Sequence, residues 1–299
     1  MSKIADLHMH SHISSDGQYT PQELVNIAKD KGLRIIAVAD HNSTQSVKET
    51  MALGKKENIH VIPAVELDCH YNGVHLHILG YGIDPDYQPL LDYEQLILEQ
   101  DQNNSQKLIE AVEKTGIIVD RDKVNQLAKN GVIIAEMIAE VVLDDPRNDN
   151  NPLLLDYREG GSRSDNPPVN FYWDLCAQGK PAHVPGASFI TLEEAITMIK
   201  GAGGICIFAH PGNNIKTNKE LAIEIYNKGL SGFEVYSSYH TPETTEFYLN
   251  LANELNALIT VGSDFHGKTK PAIQMGSVNF PNEEKHLRAF LKALNLESN

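Results

Sequence analysis

The chain contains few of the residues on which several protein classes depend. Its 299 residues include one tryptophan and three cysteines, Cys69, Cys176 and Cys206, none in C-x-x-C spacing. An odd, scattered set of cysteines argues against a disulfide framework and against a cysteine-based zinc site. No apolar run approaches the roughly 18 to 20 residues that span a bilayer, and no signal-peptide pattern opens the chain. We therefore expect a cytoplasmic location and no membrane association.

Positive charge is also scarce. The 25 Lys and Arg residues are outnumbered by 40 Asp and Glu residues, which gives a formal net charge of -15. This excess argues against a fold-wide basic surface that tracks nucleic acid, because such binding depends on many cationic contacts to phosphates. It leaves phosphate substrates open, since bound metal cations can reverse the sign of the local field.

Both ends of the chain alternate between strand and helix patterns. The stretch RIIAVAD (34–40) is a near-continuous apolar run, typical of a strand that is buried on both faces. Thr20 and Glu23 form a capping box at the start of a helix, and Asn72 followed by Gly73 predicts a hairpin. Six or seven such units indicate an α/β fold with a parallel sheet, and favour a closed barrel over an open sheet.

The middle of the chain follows a different pattern. Residues 86–185 lack strand-like runs and predict helices, among them a long polar one over about 88–114. The stretch 144–170 is rich in Asp, Asn, Pro and Gly and is predicted to be an irregular loop. We therefore expect a discontinuous barrel domain, 1–85 and 186–299, with a mainly helical insertion or cap.

Metal-capable side chains fall at the ends of nearly every predicted strand. They are His8, His10, Asp40, His41, Glu66, His75, His77, His210, Asp264 and His266. The carboxyl ends of strands in a parallel barrel meet at one mouth, so these side chains are expected to converge. Imidazole nitrogens together with carboxylate oxygens suit divalent Zn, Mn or Fe, and the mixture indicates a catalytic rather than a structural site.

Some histidines remain ambiguous or carry no such signal. His75 and His77 lie on the same face of one predicted strand, so the spacing alone does not choose between them. Four others have no placement at a strand end and are expected to be structural or solvated. They are His60, His70, His240 and His286.

The motifs, taken in order, resemble the PHP (polymerase and histidinol phosphatase) family. They are D-L-H-x-H-S, x-A-D-H, a strand-ending Glu, H-I-L-G-Y-G-I-D, A-H-P and G-S-D-F-H-G, and they cover residues 4–84 and about 180–280. The chain most resembles the stand-alone phosphoesterases with a helical insertion. The resemblance implies a distorted (β/α)7 TIM-like barrel and a site of three divalent ions, usually Mn, Fe or Zn, that hydrolyses phosphate esters.

The resemblance also implies a role for individual residues. The implied ligands are His8, His10, Glu66 and Asp264 for one ion, His77 and His210 with a bridging Glu66 for the second, and Asp16, His41 and His266 for the third. This choice of His77 leaves His75 as a residue that lines the substrate site, and Asp40 would orient a ligand. Besides Glu66 and Asp264, His12 is a catalytic candidate: it matches no ligand position and is our candidate proton donor.

The residues that would bind the substrate are less clearly indicated. Relatives in the family that act on nucleotides or RNA ends tend to carry Arg-x-His in the insertion and an Arg just after A-H-P. Here the corresponding stretches read GVIIAEMIAE and AHPGNN, so both arginines are missing. The remaining candidates for binding a substrate anion are Arg158, Arg163, Lys180 and Lys268.

These observations predict a hydrolase in which a metal-bridging hydroxide attacks the phosphate ester of a small metabolite or nucleotide. One alternative is a 5′-3′ exonuclease of the same family that acts on RNA or DNA ends. A metal-dependent amidohydrolase is a second, against which stand Glu66 and the Asp264-x-His266 pair. A non-catalytic metal-binding or regulatory module is a third, but such a module is expected to have lost ligands. No obligate protein partner is implied.

Overall fold

The computed structural model describes residues 4–296, which form two compact units. The first unit contains the described residues up to Glu94 and those from Phe189 onward, and the second is Gln95–Ser188. Among the helices of residues 4–296, none is both long enough and apolar enough to cross a membrane.

All strands that the structure describes in regular sheets belong to the first unit. They are β1 (Ala5–Met9), β2 (Ile35–Val38), β3 (His60–Val61), β4 (Ala64–Tyr71), β5 (Val74–Tyr81), β6 (Ile190–Thr191), β7 (Ile205–Phe208), β8 (Gly232–Ser237) and β9 (Leu258–Gly262). One sheet is parallel with the order β1-β2-β3, and the other has the order β6-β4-β5-β7-β8-β9. In the second sheet β5 runs antiparallel to both of its neighbours, so the fold is α/β with a mixed sheet rather than a wholly parallel one.

The hairpin of β4 and β5 sets the register of several candidate ligands. Asn72 and Gly73 both have positive φ, 49° and 78°, as the tight two-residue turn predicted from their sequence requires. The pairing places Asp68 directly opposite His77, and Glu66 two residues before Asp68 on the same strand. Because side chains two residues apart share a face, these three project from one side of the hairpin.

The two sheets are joined at the ends of their strands. Isolated parallel bridges link Met9 to Phe265 and His41 to Glu66, and the backbone N–H of His10 donates to the Phe265 carbonyl at 2.9 Å. Backbone pairing therefore continues past β1 and β2 into the segments that carry candidate ligands, and fixes where those segments lie.

Helices of the first unit pack against these strands, and helices make up most of the second unit. The α-helices of the described chain are α1 (Pro21–Asp30), α2 (Val47–Lys56), α3 (Gln88–Lys114), α4 (Arg121–Leu127), α5 (Ala135–Leu143), α6 (Pro167–Phe171), α7 (Leu192–Gly201), α8 (Pro211–Ile215), α9 (Lys219–Asn227), α10 (Pro242–Leu255) and α11 (Glu283–Ala293). The capping box predicted at Thr20 and Glu23 is confirmed at the start of α1.

Each unit has its own apolar core. In the first, Leu24 and Val25 of α1 pack with Ile36 of β2, which seats the helix against the parallel sheet. In the second, Ile109 of α3 and Ile138 of α5 belong to one buried cluster. The segment predicted as an irregular loop, 144–170, contains two short 3-10 turns and the beginning of α6.

Candidate metal centre

A single carboxylate, that of Glu66 on β4, lies at the middle of the candidate ligands. The residue is fully buried, and its two oxygens face different sets of histidines. Oε2 lies 3.2 Å from a ring nitrogen of each of His8, His10 and His41, and Oε1 lies 3.0 Å from Nδ1 of His77 and 3.2 Å from Nε2 of His210. One carboxylate that faces two sets of nitrogens through its two oxygens has the arrangement of a bridging ligand.

Asp264, just beyond β9, completes the first set. Its Oδ1 lies 3.0 Å from Nε2 of His10 and 3.3 Å from Nε2 of His8. His8 and His10 alternate along the end of β1, and their Nε2 atoms are 3.2 Å apart. The ligand atoms of these three residues and of Glu66 all lie within 4.8 Å of one another.

A neighbouring set involves Asp16. Its Oδ2 is 3.1 Å from Nε2 of His266 and 4.0 Å from Nε2 of His41. His10, His41 and His266 also form a group whose ligand atoms lie within 4.8 Å of one another. Each of the nine residues that the motifs predict as ligands thus faces at least one other.

The residues of this cluster fit divalent cations. Four converging atoms are buried without a hydrogen-bond partner: His41 Nδ1, Glu66 Oε2, Asp264 Oδ1 and His266 Nε2. Leaving buried polar atoms unpaired is costly, and divalent cations bound between the two groups of ligand atoms would satisfy these four. The carboxylate oxygens of Glu66 and Asp264 lie 3.0–3.3 Å from the histidine nitrogens around them. Two ligand atoms of a tetrahedral ion with bonds of about 2.1 Å are about 3.4 Å apart, so the observed distances suit such an ion.

Charges within the cluster shift the pKa values of its members. Burial works against a charged His41 ring, but the carboxylates of Glu66 and Asp68 outweigh it and raise the pKa of His41 to about 10. Burial would raise the pKa of Glu66, but His8 and His77 outweigh it and hold that pKa well below its usual range. Glu66 therefore stays ionised, and a cation that binds to the His41 ring must displace its proton.

Asp40 contacts the candidate ligand His10 indirectly, through the hydroxyl of Ser14. Its Oδ1 accepts hydrogen bonds from the backbone N–H of Ser11 at 2.7 Å and from the Ser14 hydroxyl at 3.0 Å. The Ser14 oxygen in turn lies 3.1 Å from Nδ1 of His10. Asp40 thus fixes the hydroxyl that orients the His10 ring, which leaves Nε2 of His10 facing the cluster.

Glu234, a buried residue in the middle of β8, was missed by sequence reasoning. Its Oε1 lies 2.9 Å from Nδ1 of His8, and its Oε2 accepts the backbone N–H of His210 at 2.8 Å. A carboxylate on Nδ1 holds the proton there and leaves Nε2 as the nitrogen that can bind an ion. The available signal was a Glu within the otherwise apolar strand GFEVYS.

Two candidate ligands have an unusual backbone conformation. His210 follows β7 with a φ of 27°, and Asp264 follows β9 with a φ of 57°. Residues other than glycine are uncommon in this left-handed region, and such strain concentrates at functional sites. Both turns aim a side chain back toward Glu66.

Asp68 was also missed, although it lies next to the candidate ligands on the hairpin. Its Oδ1 is 3.1 Å from Nε2 of His75 and 3.1 Å from Nε2 of His77. The His75 ring is half exposed and stacks on the Phe189 ring at a centroid distance of 5.1 Å.

A lysine and a tyrosine contact the far oxygen of Asp264. The Tyr239 hydroxyl donates to Oδ2 at 2.5 Å, and Nζ of Lys270 donates to the same oxygen at 2.8 Å. Burial opposes the charge on Lys270, but Asp264 outweighs it and raises the pKa of the lysine. Lys270 is therefore a fixed positive charge beside the cluster, six residues after Asp264 and two after the predicted Lys268.

Three of the basic residues predicted to bind substrate lie in the second unit. Nε and Nη2 of Arg163 donate to the Asp174 carboxylate at 2.8 and 2.9 Å. Nη2 of Arg158 lies 3.2 Å from Oδ1 of Asp149. Lys180 is exposed. Both arginines are thus already paired with carboxylates, and their role toward a substrate stays a prediction.

The other two predicted residues, Lys268 and His12, lie in the first unit. Lys268 is exposed, and its backbone N–H donates to the Gln18 side chain at 2.8 Å. The backbone N–H of His12 donates to the Tyr19 carbonyl at 2.7 Å, and its Nδ1 is buried without a hydrogen-bond partner. Within residues 4–296, no described contact joins the His12 ring to the Glu66 cluster, so its role as proton donor stays a prediction.

Comparison with known proteins relates part of the chain to a known family and most of its length to individual relatives. A sequence profile described as the PHP domain matches residues 6–140. This match confirms, over residues 6–140, the resemblance to the PHP family that the motifs predict.

Individual relatives cover nearly the whole chain. A 5′-3′ exoribonuclease of Haemophilus influenzae is 29% identical over 89% of this chain and 91% of its own length. A 3′,5′-nucleoside bisphosphate phosphatase of Chromobacterium violaceum is 27% identical over 87% of this chain and 86% of its own. A solved structure of an amidohydrolase from Chromobacterium violaceum is similar in fold, with a TM-score of 0.78 at 24% identity over 97% of this chain and 96% of that one.

Proposed function

We propose that this protein is a metal-dependent phosphoesterase that hydrolyses a phosphate ester of a small metabolite or nucleotide at the Glu66 cluster. The class of enzyme, a hydrolase of phosphoric ester bonds, is confirmed; the proposal concerns the substrate, the ions and the residues. The observation that carries it is the Glu66 carboxylate, whose two oxygens face two sets of histidines.

The proposal assigns three divalent ions, Mn, Fe or Zn, to the nine predicted ligands, with Glu66 shared between two of them. It also includes closure of the strands into a distorted (β/α)7 barrel, in line with the bridges that join the two sheets at His41 and Met9. Ions held by these ligands would lower the pKa of a water and neutralise charge that develops on the phosphate.

The protein's own side chains would hold the phosphate and the ligands in place. Lys270 would place its ammonium group against a non-bridging phosphate oxygen, beside the carboxylate of Asp264. Tyr239 would keep donating to Oδ2 of Asp264, which leaves Oδ1 facing the cluster. Glu234 would hold the His8 ring with Nε2 toward the ions.

One relative favours a second candidate function. The 29% identical Haemophilus influenzae protein is a 5′-3′ exoribonuclease, so hydrolysis at the 5′ ends of RNA or DNA is an alternative for this chain. The net charge of -15 weighs against long nucleic acid contacts but not against binding of a few terminal nucleotides.

The proposed function is tested by measuring the release of phosphate and of mononucleotides from phosphorylated metabolites, nucleotides and short 5′-phosphorylated RNAs, with added Mn²⁺ or with EDTA. We expect release that requires the metal and is fastest with a nucleotide or a small metabolite. Faster release of mononucleotides from RNA would favour the exonuclease. No release from any substrate by a protein with verified metal content would refute the proposal.

We expect Lys270→Met to raise KM about tenfold or more while kcat changes less. A hydrogen bond from a charged donor contributes about 1.5–3 kcal/mol, and 1.4 kcal/mol corresponds to a tenfold change in affinity. Steady-state kinetics on the best substrate, with metal content measured in parallel, checks this. Lys268→Met is the matched control, and a higher KM for Lys268→Met alone would assign the phosphate to the lysine predicted from sequence.

A further inference from the structure

A second group of ligand atoms lies on the β4–β5 hairpin, and two of its three residues are not among the nine predicted ligands. We call Asp68, His75 and His77 the outer group. Their ligand atoms all lie within 4.8 Å of one another. Oδ1 of Asp68 is 3.1 Å from Nε2 of each histidine, within the range of separations around Glu66. The hairpin register produces this group, because Asp68 pairs with His77 and His75 shares the face of His77.

The outer group is accessible and its carboxylate is held in position. The His75 side chain is 50% exposed and that of His77 20%, whereas Glu66 is fully buried. Asn42 donates from Nδ2 to Oδ2 of Asp68 at 2.7 Å, and its own oxygen accepts the backbone N–H of Asp68 at 2.9 Å. This pair of bonds directs Oδ1 to the histidines. Two imidazoles and one carboxylate, with waters in the remaining positions, are a suitable set for a borderline divalent ion.

His77 belongs to both groups. Its Nδ1 is 3.0 Å from Oε1 of Glu66, and its Nε2 is 3.1 Å from Oδ1 of Asp68. A neutral imidazole offers one nitrogen with a free lone pair, and the other nitrogen carries the hydrogen. His77 can therefore bind an ion beside Glu66 while donating to Asp68, or bind an ion beside Asp68 with its hydrogen toward Glu66. It cannot serve both ions as a neutral ring.

We propose that Asp68, His75 and His77 form a fourth divalent-cation site, weaker than the Glu66 cluster, whose occupation withdraws His77 from that cluster and inhibits hydrolysis. The inference rests on the proposed function, in which His77 is a ligand of the cluster. The site is weaker because it is partly open to solvent, has three protein ligands, and binds only after the His77 hydrogen changes nitrogen.

The test is a zinc titration of the wild-type protein, His75→Ala and His70→Ala. His70 is the matched control: it is an exposed histidine of the same hairpin and belongs to none of the ligand groups found among the described residues. Bound zinc is counted by equilibrium dialysis and elemental analysis, and the rate is measured at each free zinc concentration. The rate at high zinc is divided by the maximal rate of the same variant, so a change in maximal rate alone does not affect the comparison.

We expect wild type and His70→Ala to bind three ions and then a fourth, with a rate that falls at least tenfold as the fourth binds. In His75→Ala we expect the rate to fall only at a free zinc concentration at least tenfold higher than in the wild type. We also expect no fourth ion to bind over the zinc concentrations at which the wild type binds it. A fourth ion that binds equally well to His75→Ala, or a wild type that stops at three ions with no fall in rate, overturns the inference alone. Fewer than three ions in the wild type, or no metal-dependent hydrolysis, overturns the proposed function and this inference with it.

Discussion

Glu66→Gln is expected to reduce kcat/KM about a thousandfold or more, the largest effect among our predictions. The two oxygens of Glu66 face five histidine nitrogens between them, and glutamine has one oxygen and an NH₂ group in their place. The NH₂ group cannot bind a cation, so at least one set of histidines loses its shared ligand. Metal ions contribute several kcal/mol to catalysis at such sites, and each 1.4 kcal/mol is tenfold in rate.

The measurement is steady-state hydrolysis with saturating Mn²⁺, together with metal content and thermal unfolding. Glu254→Gln is the matched control, since Glu254 is an exposed carboxylate whose partner is Lys219 at 2.7 Å. We expect the control to behave as wild type. A Glu66→Gln protein that is folded, fully loaded with metal and as active as wild type would show that Glu66 does not bridge ions.

The second largest expected effect belongs to Glu234→Gln. Both Glu234 oxygens accept hydrogen, one from His8 Nδ1 and one from the His210 backbone N–H. Glutamine can accept through one oxygen only. Its NH₂ group must then face the His210 N–H, which is repulsive, or His8 Nδ1, which moves the His8 proton to Nε2 and blocks that nitrogen as a ligand.

Loss of such supporting carboxylates typically costs 10–100-fold in metal affinity or activity, so we expect a shift of about that size in the Mn²⁺ concentration needed for half-maximal rate. Excess Mn²⁺ should restore most of the rate, which a general loss of folding would not allow. Glu220→Gln, an exposed change on α9, serves as control. If Glu234→Gln needs the same Mn²⁺ concentration for half-maximal rate as the wild type, Glu234 does not orient His8 for metal binding.

The sequence predicted the parts of the site that depend on local pattern. The alternation of His8 and His10, the turn at Asn72 and Gly73, and the position of Glu66 on a buried strand can each be recognised within a few residues. The strand–helix alternation predicted a parallel sheet, and β5 departs from it because the hairpin predicted at Asn72 and Gly73 makes β5 run antiparallel to β4.

The supporting residues could not be predicted, because they act across long separations in the chain. Glu234 reaches His8 over 226 residues, and nothing near either residue indicates the pairing. Lys270 and Lys268 look alike in sequence; only the course of the loop after β9 brings Lys270 to Asp264. For the arginines of the insertion, composition could not reveal that Asp149 and Asp174 already pair with them.

The one-sided hairpin limits how this part of the chain can change in length. Glu66, Asp68, His75 and His77 project from the same face only because β4 and β5 keep their register. Inserting or deleting a single residue within either strand turns the side chains between that point and the turn to the opposite face of the sheet. A change of two residues leaves them on the original face. We therefore expect single-residue changes in length not to be tolerated within the strands that carry the ligands.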